Sequence, residues 1–279
     1  MSIKITSDST CDLSPELLER YQVTILPICV NLGENSYRDG DDISPADIFK
    51  YVSESGQLPT TAATNIGEYQ EFFAPLAAEH DAVIHINLGS GFSSCHQNAK
   101  LAAAEFDNVY AVDSANLSTG QGLVVIEAAL AAQLGEKPED IVTMLNELVT
   151  RVDTSFVVDK LDYLAKGGRC SSAAALGANL LKLKPCINLE HGKMDVGKKY
   201  RGDWAKTLPG YAKDRLTGKD ICKDRVFITW TSCPPEVVAE LRELLKNEGF
   251  GEILETVAGC TVTSHCGPNT LGVLFVRNK

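Results

Sequence analysis

The segment "NLGSGFSSCHQNA", residues 87–99, places several groups capable of chemistry in one short turn. The apolar run "AVIHINL" precedes it and the helical pattern "KLAAAEF" follows it, so the turn joins a strand to a helix. Two kinds of chemistry fit these residue types. Ser93 or Cys95 could act as a nucleophile with His96 as its base, or the turn could bind an anion.

Geometry disfavours a nucleophile here. Adjacent helical residues point about 100 degrees apart, so Cys95 and His96 do not face each other, whereas a nucleophile and its base must lie within hydrogen-bond reach. The serines also fail the G-x-S-x-G pattern, because none has glycine at both two-residue offsets. A small-molecule hydrolase or transferase that uses Ser93 or Cys95 is therefore the alternative function.

Binding of an anion suits the turn better. A glycine- and serine-rich turn exposes backbone N–H groups at the positive end of the helix dipole, which favours a carboxylate or a phosphate. Ser93 suits the helix cap, where its oxygen accepts from the first turn and its hydroxyl donates to a ligand. A plain serine-capped helix explains the turn equally well. Neither GxGxxG nor GxxxxGK[ST] is present, so a nucleotide- or phospho-sugar-binding module is only a third hypothesis.

Three other segments carry polar groups in suggestive contexts. "LPTTAATNIGEY" contains Thr61 in a predicted loop, where threonine caps before a helix are the ordinary explanation. "TSHCGP" contains His265, and a lone histidine among apolar residues usually makes a packing hydrogen bond. "LAKGGRCSS" contains Arg169, which the double glycine places in an exposed turn.

Composition excludes several classes of protein. The 26 basic and 37 acidic residues give a net charge of -11, which disfavours nucleic acid and anionic lipid as partners. The nine cysteines are odd in number and include no C-x-x-C pair, so we expect no zinc cage, no other metal and no disulfide framework. Reduced thiols, and no apolar run of about 18 residues, predict a cytoplasmic protein without a membrane span.

The elements that position these residues are strands alternating with helices. In the first half the alternation predicts parallel strands with crossover helices, and two helices begin at the capping pairs Ser14-Pro15 and Ser44-Pro45. The second half adds a hairpin around His191-Gly192, which predicts a mixed sheet. We expect an α/β fold with two domains: a parallel-sheet α/β/α domain over residues 1–157 and a mixed-sheet α/β domain over 158–279.

Eight segments, in their order along the chain, resemble the DegV family, the fatty-acid-binding proteins that serve bacterial fatty acid kinase. These segments are "ITSDSTCDLSPELLERYQVTILPICVNL", "YRDGDDIS", "LPTTAATNIGEY", "VIHINLGSGFSSCHQNA", "VDSANLSTGQG", "LDYLAKGGRCS", "KLKPCINLEHGKM" and "SHCGPNTLG". Together they span almost the whole chain, and an ordered set is far more specific than any one of its members.

The resemblance implies a carrier without catalytic machinery or a cofactor. It implies that a long-chain fatty acid lies with its tail in an apolar tunnel and its carboxylate near the domain junction. The family's carboxylate contacts fall on Thr61, Ser93 and His265, with the backbone N–H of Ser94 as a fourth donor. The family's kinase contact falls on Arg201 in "KKYRG".

The implied partners are the fatty acid, a fatty acid kinase and, transiently, a membrane surface. The segments "KLK" and "GKKYR" provide local basic charge for membrane contact, although an ordinary solvated face explains them equally well. The sequence departs from the family's usual pattern at four positions. Ser94 and Asn269 replace glycines, His96 replaces a tyrosine, and Cys170 replaces an aliphatic residue.

Overall fold

The computed structural model describes residues 1–176 and 183–279. Its strands are β1 (Ile3–Asp8), β2 (Thr24–Leu26), β3 (Cys29–Leu32), β4 (Asn35–Arg38), β5 (Thr60–Ala62), β6 (Ala82–Asn87), β7 (Val109–Asp113), β8 (Val152–Val158), β9 (Leu183–Glu190), β10 (Lys193–Arg201), β11 (Ile221–Trp230), β12 (Glu252–Val257) and β13 (Thr270–Arg277). Its α-helices are α1 (Pro15–Tyr21), α2 (Pro45–Ser55), α3 (Ile66–Glu79), α4 (Cys95–Ala103), α5 (Ser118–Gln133), α6 (Pro138–Leu148), α7 (Asp162–Gly167), α8 (Ser171–Leu176), α9 (Trp204–Leu216), α10 (Pro235–Asn247) and α11 (Cys260–Cys266). Within these ranges no helix is long and apolar enough to cross a membrane.

The first sheet is parallel, as predicted, with the strand order β2-β1-β6-β7. Every residue of β6 is buried, as expected for a central parallel strand that is covered on both faces. Helices α5 and α6 cover one face of this sheet, and α3 and α4 cover the other. The predicted α/β/α arrangement is therefore confirmed.

The second sheet is mixed, also as predicted, with the order β10-β9-β8-β13-β11-β12. Only β11 and β12 are parallel among its described pairs; the others are antiparallel. Strand β8 already belongs to this sheet, so the change of sheet falls between Leu148 and Val152. The predicted domain boundary between residues 157 and 158 lies inside β8. The sequence did not show that β8 belongs to the second sheet, because its apolar run resembles those of the buried strands before it.

A small antiparallel sheet of β4, β3 and β5 was not predicted. The segment expected to be a loop around Thr61 instead contains β5, in which Thr61 pairs with Val30 of β3. The strand has only three residues, too few to show an alternating pattern. The pairing holds Thr61 in a defined orientation.

Local signals in the sequence correspond to observed helix starts and to the hairpin. Ser14 accepts from the Leu17 N–H at the start of α1, and Ser44 forms a capping box with Asp47 at the start of α2. The turn between β9 and β10 has φ of 50° at His191 and 72° at Gly192. Two positive φ values are typical of the two-residue turns that suit the twist of a hairpin.

The hairpin tip packs on the glycine-rich turn after β6. A Cβ atom at Gly91 would lie only 2.1 Å from the carbonyl oxygen of Gly192. Glycine at position 91 therefore permits backbone-to-backbone contact between the two halves of the chain. This contact places the hairpin beside the residues expected to bind an anion.

Candidate functional site

A cavity of about 290 Å³ lies where the two large sheets approach each other. We call it the acyl cavity, and its described lining residues are Thr10, Ile28, Thr61, Ala62, Ala63, Leu88, Phe92, Ser93, Ser94, Leu117, Leu164, Arg169, Met194, Thr261, Val262, His265 and Cys266. Most of these are apolar, and the polar ones include all four residues expected to hold a carboxylate. The structure therefore brings together Thr61, Ser93, Ser94 and His265.

Thr61 and His265 are in direct contact. The Thr61 Oγ1 atom lies 2.9 Å from His265 Nε2, although the two residues are 204 positions apart in the chain. Strand β5 presents the threonine, and the last turn of α11 presents the histidine. The pair joins the small antiparallel sheet to the C-terminal half of the chain.

Ser93 and Ser94 lie at the start of α4, on the cavity side. Ser94, rather than Ser93, occupies the N-cap position, so the predicted cap is displaced by one residue. Ser93 still accepts from the Cys95 N–H at 3.3 Å, and its hydroxyl donates to Cys95 Sγ at 3.1 Å. The positive end of the α4 dipole thus faces the same space as two hydroxyl groups.

His265 is neutral at physiological pH. Burial, together with the nearby charge of Arg169, lowers the pKa of His265 to about 4. An uncharged imidazole can donate one hydrogen bond and accept another, so through an Nε2–H it can orient the Thr61 hydroxyl toward a ligand without forming an ion pair. Any positive charge at this end of the cavity must come from another residue.

Arg169 supplies that charge, and sequence reasoning did not assign it to the site. It is the one charged side chain among the described lining residues, counting His265 as neutral. Its Nη1 donates to the carbonyl of Gly167 at 2.7 Å and its Nε to the carbonyl of Phe92 at 3.4 Å. The two glycines before Arg169 were the available signal in the sequence. They indicate a tight turn, in which the arginine side chain can contact backbone carbonyl groups such as those of Gly167 and Phe92.

A second cavity of about 360 Å³ lies outside the polar end, and we call it the vestibule. It shares Thr61, Arg169 and His265 with the acyl cavity, and Lys166 also lines it. No carboxylate is among its described lining residues, although the chain as a whole carries a net charge of -11. The polar groups therefore separate an apolar interior from a basic approach.

The structure does not assemble the cysteine–histidine pair of the alternative function. Cys95 is buried, and burial raises the pKa of its thiol to about 11, with the charge of Asp8 adding to the effect. His96 is directed elsewhere, with Nδ1 3.3 Å from Asn87 Oδ1. A protonated, inaccessible thiol without a base is inert as a nucleophile.

A buried polar network centred on Asp8 stabilises the end of β6, where the turn that contains Ser93 and Ser94 begins. Asp8, at the end of β1, accepts from the Tyr69 hydroxyl at 2.8 Å and from the Leu88 N–H at 2.8 Å. Its carboxylate also contacts His85 Nε2 at 3.2 Å and Asn87 Nδ2 at 3.2 Å. The acid thereby fixes the end of β6, from which the serine-containing turn begins.

Two buried acids from the first half of the chain hold the start of α11. Asp39 accepts from the backbone N–H groups of Cys260 and Thr261 at 2.7 and 3.0 Å. Asp12 accepts from the Gly259 N–H at 2.9 Å and from the Ser118 hydroxyl at 2.5 Å. Both contacts fix the helix that carries His265.

The buried carboxyl group of Asp12, which contacts Gly259 and Ser118, leads to a prediction on how stability depends on pH. Burial, aided by the charge of Asp39, raises the pKa of Asp12 to about 8 from an ordinary value of 3.8. The protonated carboxyl group therefore contributes its full stabilisation below a pH of 3.8, and this contribution is lost progressively as the pH rises from there to about 8. We expect Asp12→Asn to gain stability relative to the parent over this range, by on the order of a few kcal/mol.

Thermal and denaturant unfolding between about pH 4 and about pH 8 would measure this gain. Asparagine keeps the acceptor for Gly259 and tolerates the positive φ of 50° at position 12. The control is Asp41→Asn, since Asp41 is exposed and should show no such gain. A constant difference between the Asp12 variant and the parent at every pH would contradict the prediction.

Arg201 lies outside the cavity. It is exposed at the end of β10 and pairs with Leu183 of β9. In the basic segment "KLK", Lys182 falls outside the described residues, whereas Lys184 donates to Asp159 at 2.5 Å. The segment "GKKYR" lies on β10.

The fold and the site define a class: an α/β protein of two large sheets, with an apolar cavity that polar groups close at one end. The chain belongs to the DegV family, because the family model described as "Uncharacterised protein, DegV family" matches residues 2–278. This confirms the resemblance found in the sequence.

Relatives of known sequence and structure match the whole chain. A DegV domain-containing protein of Caldanaerobacter subterraneus is 32% identical over 278 residues, covering 98% of each chain. A DegV family protein of Thermus thermophilus, described by its fatty acid binding, has a TM-score of 0.89 and 30% identity, covering 100% of both chains. DegV of Bacillus subtilis, described as a fatty acid binding protein, has a TM-score of 0.85 and 28% identity, again covering 100% of both chains.

Proposed function

We propose that this protein binds a long-chain fatty acid, with its tail in the acyl cavity and its carboxylate at Thr61, Ser93, Ser94 and His265. The observation that carries the proposal is the contact between Thr61 and His265 at the polar end of an apolar cavity. Solved relatives described as fatty-acid-binding proteins support it.

Burial of the acyl chain would provide most of the binding free energy of such a ligand, and the polar end of the cavity would offset the cost of burying its carboxylate. Burying about fifteen methylene groups, at about 0.8 kcal/mol each, contributes on the order of 12 kcal/mol before the costs of ordering and association. A buried carboxylate would be costly unless donors replaced its hydration. The hydroxyls of Thr61 and Ser93 and the start of α4 supply those donors, the neutral imidazole of His265 orients the Thr61 hydroxyl, and Arg169 supplies charge.

We further propose that the protein is a carrier, which presents the carboxylate to a separate fatty acid kinase in the cytoplasm and holds the acyl phosphate. The basic vestibule supports this role, because it opens the carboxylate end toward an incoming phosphoryl group. The kinase supplies ATP and Mg²⁺, and the carrier supplies only the orientation of its ligand. Transient contact with a membrane surface would allow loading and release.

Organic extraction of the purified protein followed by mass spectrometry tests the proposal. We expect a stoichiometric long-chain fatty acid, and saturable binding of palmitate to the delipidated protein. Recovery of no fatty acid, together with no saturable binding of palmitate, would overturn the proposed function. Rapid iodoacetamide labelling of Cys95 with loss of a measured turnover would instead favour the hydrolase or transferase alternative.

Arg201→Ala separates binding of the ligand from use of the kinase. Because Arg201 is exposed and lies outside the cavity, we expect palmitate binding to stay unchanged. Acyl phosphate formation by an added fatty acid kinase should fall about tenfold or more, as for loss of a charged interface contact. Lys193→Ala, at the other end of β10, is the control. Equal rates for both variants and the parent would remove Arg201 from the kinase contact.

A further inference from the structure

The outer edge of the second sheet carries backbone groups that no described residue pairs. Strand β12 is the last strand of this sheet and, among the described strands, bonds only to β11. In a parallel pair, alternate residues direct their N–H and C=O groups to opposite sides of the strand. The Ala258 N–H donates to the carbonyl of Trp230 on β11 at 2.8 Å. By this alternation, the backbone groups of Ile253, Glu255 and Val257 point away from the sheet.

The free edge of β12 is covered at its beginning and open at its end. Arg20 of α1 contacts Glu252 at 2.6 Å, so the helix lies against the first part of the strand. At the other end, the side chain of Val257 is 51% exposed. An exposed apolar residue on an unprotected edge marks a place where another extended segment can pair.

A groove of about 570 Å³ lies along the open part of this edge. We call it the edge groove; β12 forms one wall, and Pro15, Leu18 and Ile25 provide apolar surface on the other. The edge groove is larger than the acyl cavity or the vestibule, and its described lining shares no residue with either. It is therefore separate from the carboxylate site.

The edge groove is negatively charged. Its described lining contains no lysine or arginine, whereas its acids are Asp12, Asp39, Asp41 and Glu255. Glu255 is paired with Arg242 of α10 at 2.6 Å, and burial raises the pKa of Asp12 to about 8. The negative charge at neutral pH therefore comes from Asp39 and Asp41. A basic segment complements this charge.

We propose that the edge groove binds a basic, extended segment of another protein, which pairs with β12 as an added strand. Backbone hydrogen bonds to Glu255 and Val257 supply affinity, and alternate side chains of the segment reach the apolar wall. A second copy of this chain suits the groove less well. Pairing of β12 with the same strand of a copy brings their glutamates together, and like charges across a strand pair are destabilising.

The edge groove does not overlap the kinase contact proposed at Arg201. Arg201 lies on β10, and β10 and β12 are the two outer strands of the six-stranded sheet. At about 4.8 Å per strand, the two edges lie roughly 24 Å apart. The proposed segment therefore belongs to a different contact from that of the kinase.

Amide hydrogen exchange measured by NMR tests the pairing. The probe is a capped peptide of alternating lysine and valine, added to the protein. Without peptide, the amides of Leu254 and Thr256 should exchange slowly, because they bond to β11, and those of Glu255 and Val257 should exchange fast. Peptide at ten times its Kd should slow only the second pair, by about tenfold. Unchanged exchange at Glu255 and Val257 with millimolar peptide would overturn the proposal.

A peptide of alternating glutamate and valine tests the charge of the partner. It has the same capacity for backbone pairing, but its charge opposes that of Asp39 and Asp41. We expect it to bind about tenfold more weakly than the lysine peptide, because like charges repel across an interface. Equal affinities for the two peptides would overturn the assignment of a basic partner.

Val257→Pro and Val257→Thr form a matched pair of variants. Since the Val257 N–H points away from β11, proline there removes a free donor without breaking a bond within the sheet. Val257→Pro should bind the lysine peptide about fivefold more weakly, as for loss of one backbone hydrogen bond. Val257→Thr keeps the donor and should bind nearly as the parent does. Equal affinities of the two variants would contradict backbone pairing.

Two further measurements keep the result interpretable. Slow exchange at Leu254 and Thr256 in Val257→Pro would show that β12 still pairs with β11, so that its weaker binding supports the proposal. Light scattering tests the second copy as the occupant. A dimer of the parent that Val257→Pro abolishes would assign the edge to self-association and overturn the basic partner.

Discussion

Replacing both Thr61 and Ser93 by alanine should weaken palmitate binding by about a hundredfold or more, while the protein stays folded. In the proposed complex each hydroxyl donates one hydrogen bond to a charged carboxylate, which is worth about 1.5–3 kcal/mol, or roughly ten- to hundredfold in affinity. Loss of both leaves the carboxylate buried with fewer donors. The tail contacts in the acyl cavity are unchanged, so a residual affinity should remain.

The comparison ligand for this experiment is hexadecanol, which has the same tail without a carboxylate. The double variant should lose much less affinity for hexadecanol than for palmitate, as measured by titration calorimetry. Thr60→Ala is the matched control, because neighbouring residues of a strand point to opposite faces and Thr60 does not line the acyl cavity. Equal losses for the acid and the alcohol would show that the hydroxyls support the cavity wall rather than the head group.

Local patterns in the sequence predicted the layers of the fold correctly. The alternation of apolar strands and helices indicated the parallel sheet, and the "EHGK" turn indicated the hairpin that the structure places between β9 and β10. These elements are specified by residues close together in the chain. Turn chemistry and hydrophobic period act over that same short range, and they were therefore readable without coordinates.

The contact between Thr61 and His265 at the polar end of the cavity could not be predicted from local sequence patterns. Thr61 lies on a three-residue strand with no visible period, and His265 lies 204 positions away among apolar residues. From the residues alone, each had an ordinary structural explanation. Only the ordered resemblance to a family singled them out, because tertiary contact between distant segments leaves no periodic signal in one sequence.

The groups that hold the site were missed for the same reason. Asp12 and Asp39 fix the start of α11, yet each lies in a short polar segment with no distinctive spacing. Arg169 was expected to be exposed in a turn, and it is exposed, but its guanidinium also borders the acyl cavity. The sequence can predict that a charged side chain is exposed, but it does not show that the same side chain also lines a cavity.

Gly167→Ala should reduce palmitate binding by about tenfold to a hundredfold through His265 alone. A Cβ atom at Gly167 would lie 2.7 Å from His265 Nδ1, which is closer than real Cβ contacts permit. The imidazole must therefore turn away, and its 2.9 Å contact with Thr61 Oγ1 is lost. The magnitude is that of one broken hydrogen bond to a group that orients a charged ligand, about 1.5–3 kcal/mol.

A double-mutant cycle makes this prediction specific. If the new methyl group acts only by displacing the ring, Gly167→Ala combined with His265→Ala should bind palmitate as His265→Ala does alone. Gly210→Ala is the control for adding a methyl group at a helical glycine, since a Cβ there meets nothing within 4 Å. Additive losses in the double variant would mean that Gly167 shapes the site through α7 or Arg169 instead. Non-additive losses would identify close backbone approach as the reason that His265 can reach Thr61.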